Sequence, residues 1–335
     1  MTSLLPVIPQ TGPDAPATLV GLAKIAAASP QLAAKRQVEY FSLASRSVLN
    51  RCSSPRMPFL WTINPYRGCE FGCKYCYARY THEYMGMENP AEFEEKIYSK
   101  ERAAAILKEE LQRNPGGGIA IGTATDPYQP AERLYRTTRG ILETLAGFRG
   151  LRVSITTKSD LVARDLDVLQ DIARGNGLQI NMTITTLRTE LARLLEPRAP
   201  RPDVRLAAVS AIARAGIPVA VFAMPVLPSI TDDPKDLEAV ARAAAEAGAS
   251  HFAASVLFLM PSAQKAFLPF LEKEFPELAE NYQRLYSRGA YLRGAYAEKI
   301  QRLARELREK YCLNASERKQ RLDPFGPRDQ LALFG

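Results

Sequence analysis

Three of the five cysteines in this 335-residue chain fall within eight residues, as Cys69-x3-Cys73-x2-Cys76. Thiolate sulfur is a soft ligand that favours zinc, copper(I) or iron–sulfur clusters. Cysteines this close in sequence are poorly placed to pair with one another as disulfides, so the spacing favours a shared metal centre. Structural zinc and closed iron–sulfur clusters take four protein ligands. The segment Asn64–Arg79 supplies three. A cubane on three thiolates leaves one iron free to bind a small molecule. The alternative is a closed site completed by Cys52, Cys312 or His82.

A second set of polar residues recurs at the ends of apolar runs. Thr125 and Asp126 lie in a bend bracketed by Gly and Pro, Gly122–Glu132, just past Ile119–Thr123. An Asp there can accept hydrogen bonds from an ammonium or from ribose hydroxyls, or cap its own Asp-Pro turn. Lys158 follows Val153–Thr157 at the expected start of a helix, where a cation opposes the helix dipole and suits an anionic guest better. Thr185 and Thr186 end the run Leu178–Thr186, and Met224–Pro228 offers an apolar wall. Glu196, Arg198, Arg201 and Arg205 make a basic segment able to hold phosphates, or Glu196 pairs internally. Arg67 and Arg79 read either as donors beside the cysteines or as partners of Glu70 and Glu83. His82 and His251 are isolated and receive no catalytic role.

The elements that must position these residues alternate between β-rich and amphipathic runs. Strands are predicted at Phe59–Ile63, Ile119–Thr123, Val153–Thr157, Leu178–Thr186, Pro218–Val226 and Ser250–Met260. Helices are predicted at Ala103–Gln112, near Arg139–Ala146, and at Leu161–Ala173, Arg205–Ala215 and Asp236–Ala247. That alternation argues for βαβ units and a parallel sheet. Chemically loaded residues at so many strand tips favour a barrel-like curved sheet over a doubly wound one. The organisation expected is α/β: an N-terminal arm over 1–55, partly irregular with a short helix in Thr18–Ala28, then a barrel over 56–261. A helical cap over 262–312 and a flexible tail over 313–335 complete it.

The string Gly68-Cys69-x3-Cys73-x-Tyr75-Cys76-Tyr77-Ala78-Arg79 resembles the motif of the radical S-adenosylmethionine (SAM) superfamily. It looks like the branch containing spore photoproduct lyase and its uncharacterised relatives. The resemblance implies a partial (β/α)6 TIM-like barrel and a 4Fe–4S cluster on Cys69, Cys73 and Cys76, with SAM on the fourth iron. It further implies that Thr125 and Asp126 meet the methionine amino group of SAM and that Lys158 meets its carboxylate. Thr185 would contact ribose, and Tyr75 with Phe71 would shield the cluster. Reduction by an external one-electron donor would then yield methionine and a 5′-deoxyadenosyl radical that abstracts hydrogen from a substrate. The chain departs from the lyases at Thr123, where they carry a hydrogen-donating cysteine three residues before the Asp of this loop. A hydroxyl cannot give a hydrogen atom to a carbon radical as a thiol does, so direct thymine-dimer reversal is in doubt.

The net charge of +8 suits a polyanionic partner but does not require one. Nucleic acid, in DNA repair or modification, is the leading substrate class. A peptide or small molecule is the alternative for an enzyme, and a non-catalytic metal-binding nucleic-acid-binding protein the alternative outside enzymes. No apolar run approaches the roughly 20 residues of a membrane helix, and Met1–Pro6 lacks the basic start and apolar core of an export signal. A cytoplasmic, reducing location is expected. The segment Gln330-Leu331-Ala332-Leu333-Phe334 resembles the bacterial sliding-clamp-binding pentapeptide.

Overall fold

The computed structural model describes residues 19–35, 37–54, 57–113 and 116–314; the tail 315–335, with Gln330–Phe334, lies outside them. The strands, in chain order, are β1 (Gln31–Lys35), β2 (Val38–Leu43), β3 (Leu49–Arg51), β4 (Trp61–Ile63), β5 (Tyr66–Arg67) and β6 (Lys96–Lys100). They continue with β7 (Gly118–Ile121), β8 (Arg152–Thr157), β9 (Gly177–Thr183), β10 (Val219–Val226) and β11 (His251–Val256).

The larger sheet has the order β11-β10-β9-β8-β7-β4-β3. Strands β4 and β7 to β11 are parallel, and β3 pairs antiparallel with β4 at one edge. The six parallel strands lie side by side in chain order. Right-handed crossovers in one constant direction put every connecting helix on the same face. A flat sheet would leave its other face bare, so this order belongs to a curled, barrel-type sheet and not to a doubly wound one, whose order reverses. The end strands β3 and β11 are not paired with each other, which is the strand order of an opened (β/α)6 barrel.

The connecting helices are Ala103–Gln112, Thr137–Ala146, Leu166–Ala173, Pro202–Arg214 and Pro234–Glu246. Each turns one apolar stripe inward: Leu107 and Leu111, Ile141 and Leu145, Leu169 and Ile172, Val209 and Ile212, Leu237 and Val240. These meet Ile119, Ile121, Ile155, Ile180, Val221 and Phe252 from the strands. Burying each such side chain contributes about 1.5–3 kcal/mol, which outweighs the weak β-propensity of any one short strand.

The arm expected to be partly irregular holds three strands, β1, β2 and β3. β1, β2, β6 and β5 make a second sheet, in that order. Its pattern is faint in the sequence because β1 is exposed along its whole length and β5 has two residues. The partner that orders β2 is β6, paired in parallel with Tyr40 opposite Ile97, far along the chain.

The cap consists of helices Pro261–Glu274, Pro276–Tyr286 and Ala295–Lys310. Phe267, Leu271, Tyr282 and Tyr286 share one buried cluster with Phe71, Tyr75, Cys69 and Cys73. The cap therefore covers the cysteine loop. The last helix packs on the main core through Ile300, Ala304 and Leu307. Among the described residues no helix is long and apolar enough to cross a membrane.

Candidate cluster and cofactor site

The parallel strands end together, so the loops after β4, β7, β8, β9 and β10 share one end of the sheet. Cys69, Cys73 and Cys76 occupy the first of these loops. The turn into it depends on Gly68, at φ +80°, where a Cβ would stand 2.6 Å from Lys96 O and 2.8 Å from Phe93 O. Only glycine tolerates both the conformation and the approach. Cys69 N donates to Phe93 O and Lys74 N to Leu195 O, while Arg198 N donates to Phe71 O. Arg79 adds bonds to Cys73 O (3.1 Å) and Glu94 (2.6 Å) and lies over the Phe93 ring.

Burial pushes all three thiols upward. Beyond burial, Cys69 feels the Asp126 charge and Cys73 the Glu196 charge, while Arg79 and Lys158 draw Cys76 down. A coordinating cation relieves such a penalty, because it favours thiolate outright. Among the described residues, no three His, Cys, Asp or Glu side chains converge as a single metal ion requires. Cys69 feels the charges of Cys73 and Cys76, and Cys73 that of Cys76, so the three thiols lie near one another on one loop.

The other ligands considered from the sequence stand elsewhere. Cys52 N bonds Leu60 O ahead of β4, and Cys312 lies beside the Asn314–His251 bridge at the start of β11. Both are at the opposite end of the strands from the cysteine loop. His82 has its Nε2 on Lys96 O at 3.0 Å and is packed between the rings of Phe93 and Tyr98. None of the three joins the thiols of the cysteine loop.

Around the loop lies a connected polar network. Thr125 Oγ1 donates to Gly68 O (2.6 Å), and Gln129 Nε2 donates to Gly68 O and Thr125 Oγ1 (3.0 Å each). Glu70 N donates to Gln129 Oε1 (2.9 Å), and Tyr40 OH donates to Glu70 (3.0 Å). Asp126 accepts from Thr157 Oγ1 (2.7 Å), Lys158 N (2.7 Å) and Tyr128 N (2.9 Å). Burial raises the Asp126 carboxyl and these bonds oppose the rise. Thr125 and Asp126 therefore lock the second loop to the first and third.

Glu196 is the residue that the sequence left ambiguous and the fold makes central. Arg205 Nη2 donates to it at 2.5 Å, Thr185 Oγ1 at 2.8 Å, and Tyr75 OH also donates to it. Burial alone would raise its carboxyl, but Arg205, Lys158 and the two hydroxyls outweigh burial and hold it at about 2. Arg205, 1% exposed, also donates to Thr183 O and Pro200 O. Arg205 was one reading's phosphate holder; the fold places it inside the protein, paired to Glu196. Thr185, expected at ribose, holds Glu196 and Tyr75. Lys158 Nζ sits 3.7 Å from Glu196 and 5.7 Å from the centre of the Tyr75 ring.

Of the two readings for Arg67 and Arg79, pairing with Glu70 and Glu83 does not occur. Arg79 takes Glu94, Glu70 takes Tyr40, and Glu83 takes Lys265 at 3.0 Å. Gln129, Asn64 and Tyr40 were missed as site-builders. Asn64 holds Ala124 N at 2.7 Å. Its signal was position: it is the first residue after β4.

The Radical SAM superfamily matches residues 63–244. An uncharacterised protein of Mycobacterium tuberculosis (strain ATCC 25618 / H37Rv) is 35% identical over 88% of this chain and 86% of its own length. An uncharacterised protein of Methanocaldococcus jannaschii is 28% identical over 58% of this chain and 71% of its own. Among solved structures, spore photoproduct lyase complexed with dinucleoside spore photoproduct has a similar fold, with TM-score 0.61, 17% identity, and 81% and 79% of the two chains covered. A doubly substituted mutant of that lyase, with bound AdoMet and dinucleoside spore photoproduct, gives TM-score 0.62 and 17% identity over the same shares. With its cysteine loop, strand order and family match in agreement, this chain belongs to the radical SAM superfamily and is a radical SAM enzyme.

Proposed function

We propose that this enzyme acts on nucleic acid, in DNA repair or modification, with a 4Fe–4S cluster on Cys69, Cys73 and Cys76 and SAM beside it. The observation that carries the cofactor part is the set of three thiols at the shared strand end, two buried and Cys76 partly so, with Cys52 and Cys312 at the other end of the strands and His82 Nε2 held by Lys96 O. When bound, the pair supplies one-electron cleavage of a sulfonium to a carbon radical able to take hydrogen from a substrate. The chain's own residues orient and enclose. Lys158, partly exposed and beside Tyr75, offers a cation to the SAM carboxylate. Thr125 and Asp126 fix the loop against which its amino group rests, and the Met224–Pro228 wall lies across Thr185. Phe71 and Tyr75, with Phe267 and Tyr282 from the cap, exclude water.

The nucleic-acid reading draws on the net charge of +8 and on the likeness in fold to an enzyme solved with a dinucleoside photoproduct. Thr123, bonded to Asn64, stands where a thiol would be needed for direct dimer reversal, so another reaction on nucleic acid is proposed. Anaerobic reconstitution tests the cofactor part. About four irons per chain and dithionite-dependent 5′-deoxyadenosine, abolished by Cys73→Ala, are expected; zinc, or a cluster spectrum indifferent to SAM, overturns it. Damaged and undamaged oligonucleotides then test the substrate, through transfer of label into 5′-deoxyadenosine.

The tail segment Gln330–Phe334 gives a second partner, the DNA sliding clamp, through two leucines and a Phe that fit an apolar groove. Calorimetric titration with the clamp should show binding that is lost on truncation at Gln330. Equal heats from both forms refute it. A cytoplasmic location completes the proposal.

A further inference from the structure

Two cations on the second sheet, Lys100 buried and Arg67 partly buried, form no ion pair with an acid among the described residues. Arg67 lies opposite Tyr98 in the antiparallel pair β5–β6. Arg67, Tyr98 and Lys100 consequently share one face, with Lys100 the diagonal neighbour of Arg67. Tyr66 points the other way, to Glu132 at 2.5 Å. The shared face is covered by the short helix Tyr80–Glu83, whose His82 ring meets that of Tyr98.

Lys100 is 7% exposed, and Arg67 Nε is buried without a hydrogen-bond partner. Among the described residues neither side chain forms an ion pair: Lys100 feels the Glu110 charge without bonding to it, and Arg67 feels no acid. The surrounding carboxylates are committed. Glu110 accepts from Val48 N and Leu49 N, Glu101 from Ser42, and Glu92 from Lys96. Glu132 is held by Arg164 and Thr138 N.

A buried charge without a counter-charge is costly, and two of like sign side by side more so. A plain structural role would be served better by an apolar side chain at Lys100. Burial and Arg67 draw the Lys100 ammonium down only to about 8, so it stays mostly charged at neutral pH. Two cations on one face, with Arg67 beside the half-buried Tyr80, match a multiply charged oxyanion. Arg offers a fork and Lys a point charge, the combination that suits phosphate.

We infer that Arg67 and Lys100 form a phosphate-class oxyanion site between the second sheet and the helix Tyr80–Glu83. Arg67 belongs to the segment that carries the thiols, but its neighbours on this face are Tyr80, His82 and Tyr98. This site goes beyond the proposed function and stands whether or not nucleic acid is the substrate. The anion comes either from free phosphate or from a phosphodiester.

The test uses full-length reconstituted protein in inorganic phosphate and in chloride at matched ionic strength. The melting temperature should rise saturably with phosphate only. Lys100→Met should melt higher than wild type without phosphate and lose at least tenfold in phosphate affinity; Lys100→Gln, smaller and polar, serves should the first variant fold poorly. An equal response of wild type to both salts, or an unchanged phosphate response in both variants, overturns the inference. Displacement of bound phosphate by a single-stranded oligonucleotide identifies the phosphodiester source. Phosphate retained at saturating oligonucleotide identifies the free ion.

Discussion

Replacing Glu196 by Gln removes one charge, keeps the shape and leaves Arg205 buried with two carbonyls for company. The cost can be worked in two ways. The carboxyl is held at about 2 against an ordinary 4.5, which at ~1.36 kcal/mol per unit is about 3 kcal/mol. Breaking a buried ion pair by removing one partner costs about 3–5 kcal/mol in general. Both partners are 1% exposed, so solvent screening reduces neither figure. Urea unfolding under anaerobic conditions, followed by the single tryptophan, should thus show Glu196→Gln and Arg205→Met each about 3 kcal/mol less stable than wild type. The double variant Glu196→Leu with Arg205→Met should cost no more than either single change, because no lone charge remains. The sign of the pH dependence follows from the lowered carboxyl. The stabilisation is fully present above pH 4.5 and is lost as pH falls through about 2, and Glu196→Gln lacks this window. Single variants that cost under about 1 kcal/mol, or that add in the double, refute the reasoning.

Gly68→Ala should abolish iron binding at unchanged cysteine content, since its Cβ would meet two carbonyl oxygens within 2.8 Å; iron analysis after reconstitution checks it. Asp126→Asn turns an amide donor toward Lys158 N or Thr157 Oγ1 and should cost about 1–3 kcal/mol in urea unfolding. The same variant should weaken SAM binding by displacing Lys158, which equilibrium dialysis reads directly. His82, brought down by burial to about 4, is neutral in the fold, so stability is full above pH 6.5 and falls as pH drops toward 4. The loss is about 3 kcal/mol at ~1.36 per unit; His82→Phe should flatten that window, and an unchanged slope counts against it.

The barrel was legible because its signals are local and repeated. Helix Ala103–Gln112 matches its prediction residue for residue, having Leu107 and Leu111 on one face and Asn114-Pro115 beyond it. Strands β8 and β10 fall within a residue of expectation for the same reason. The second sheet was illegible because its information is not local. β2 is ordered by β6, and β5 is too short to show a period of two. The cysteines share one loop at the strand end, which their spacing within eight residues alone requires. Glu196 was legible only as one of two readings, internal pairing, and its partner Arg205 not at all, because the segment they share reads as basic. Only the return of the chain past Thr183 buries Arg205.

The site's polar groups divide into two kinds, and the division bears on how the enzyme works. Thr125, Asp126, Gln129, Thr185 and Glu196 have their hydrogen-bonding atoms used within the protein, each tying one strand-end loop to another. Lys158 differs: its ammonium is 3.7 Å from an acid already held closer by Arg205, and is partly exposed. A cation so placed can turn to a guest carboxylate without leaving Glu196 unpaired. Under the proposed function, a buried network holds the thiol loop rigid and recognition of a charged guest falls to Lys158. Loss of Lys158 should accordingly weaken SAM binding while iron content is kept, whereas loss of Gly68 should remove both. Were Lys158→Met to lose its iron as Gly68→Ala does, the lysine would belong to the rigid frame and the division would fail.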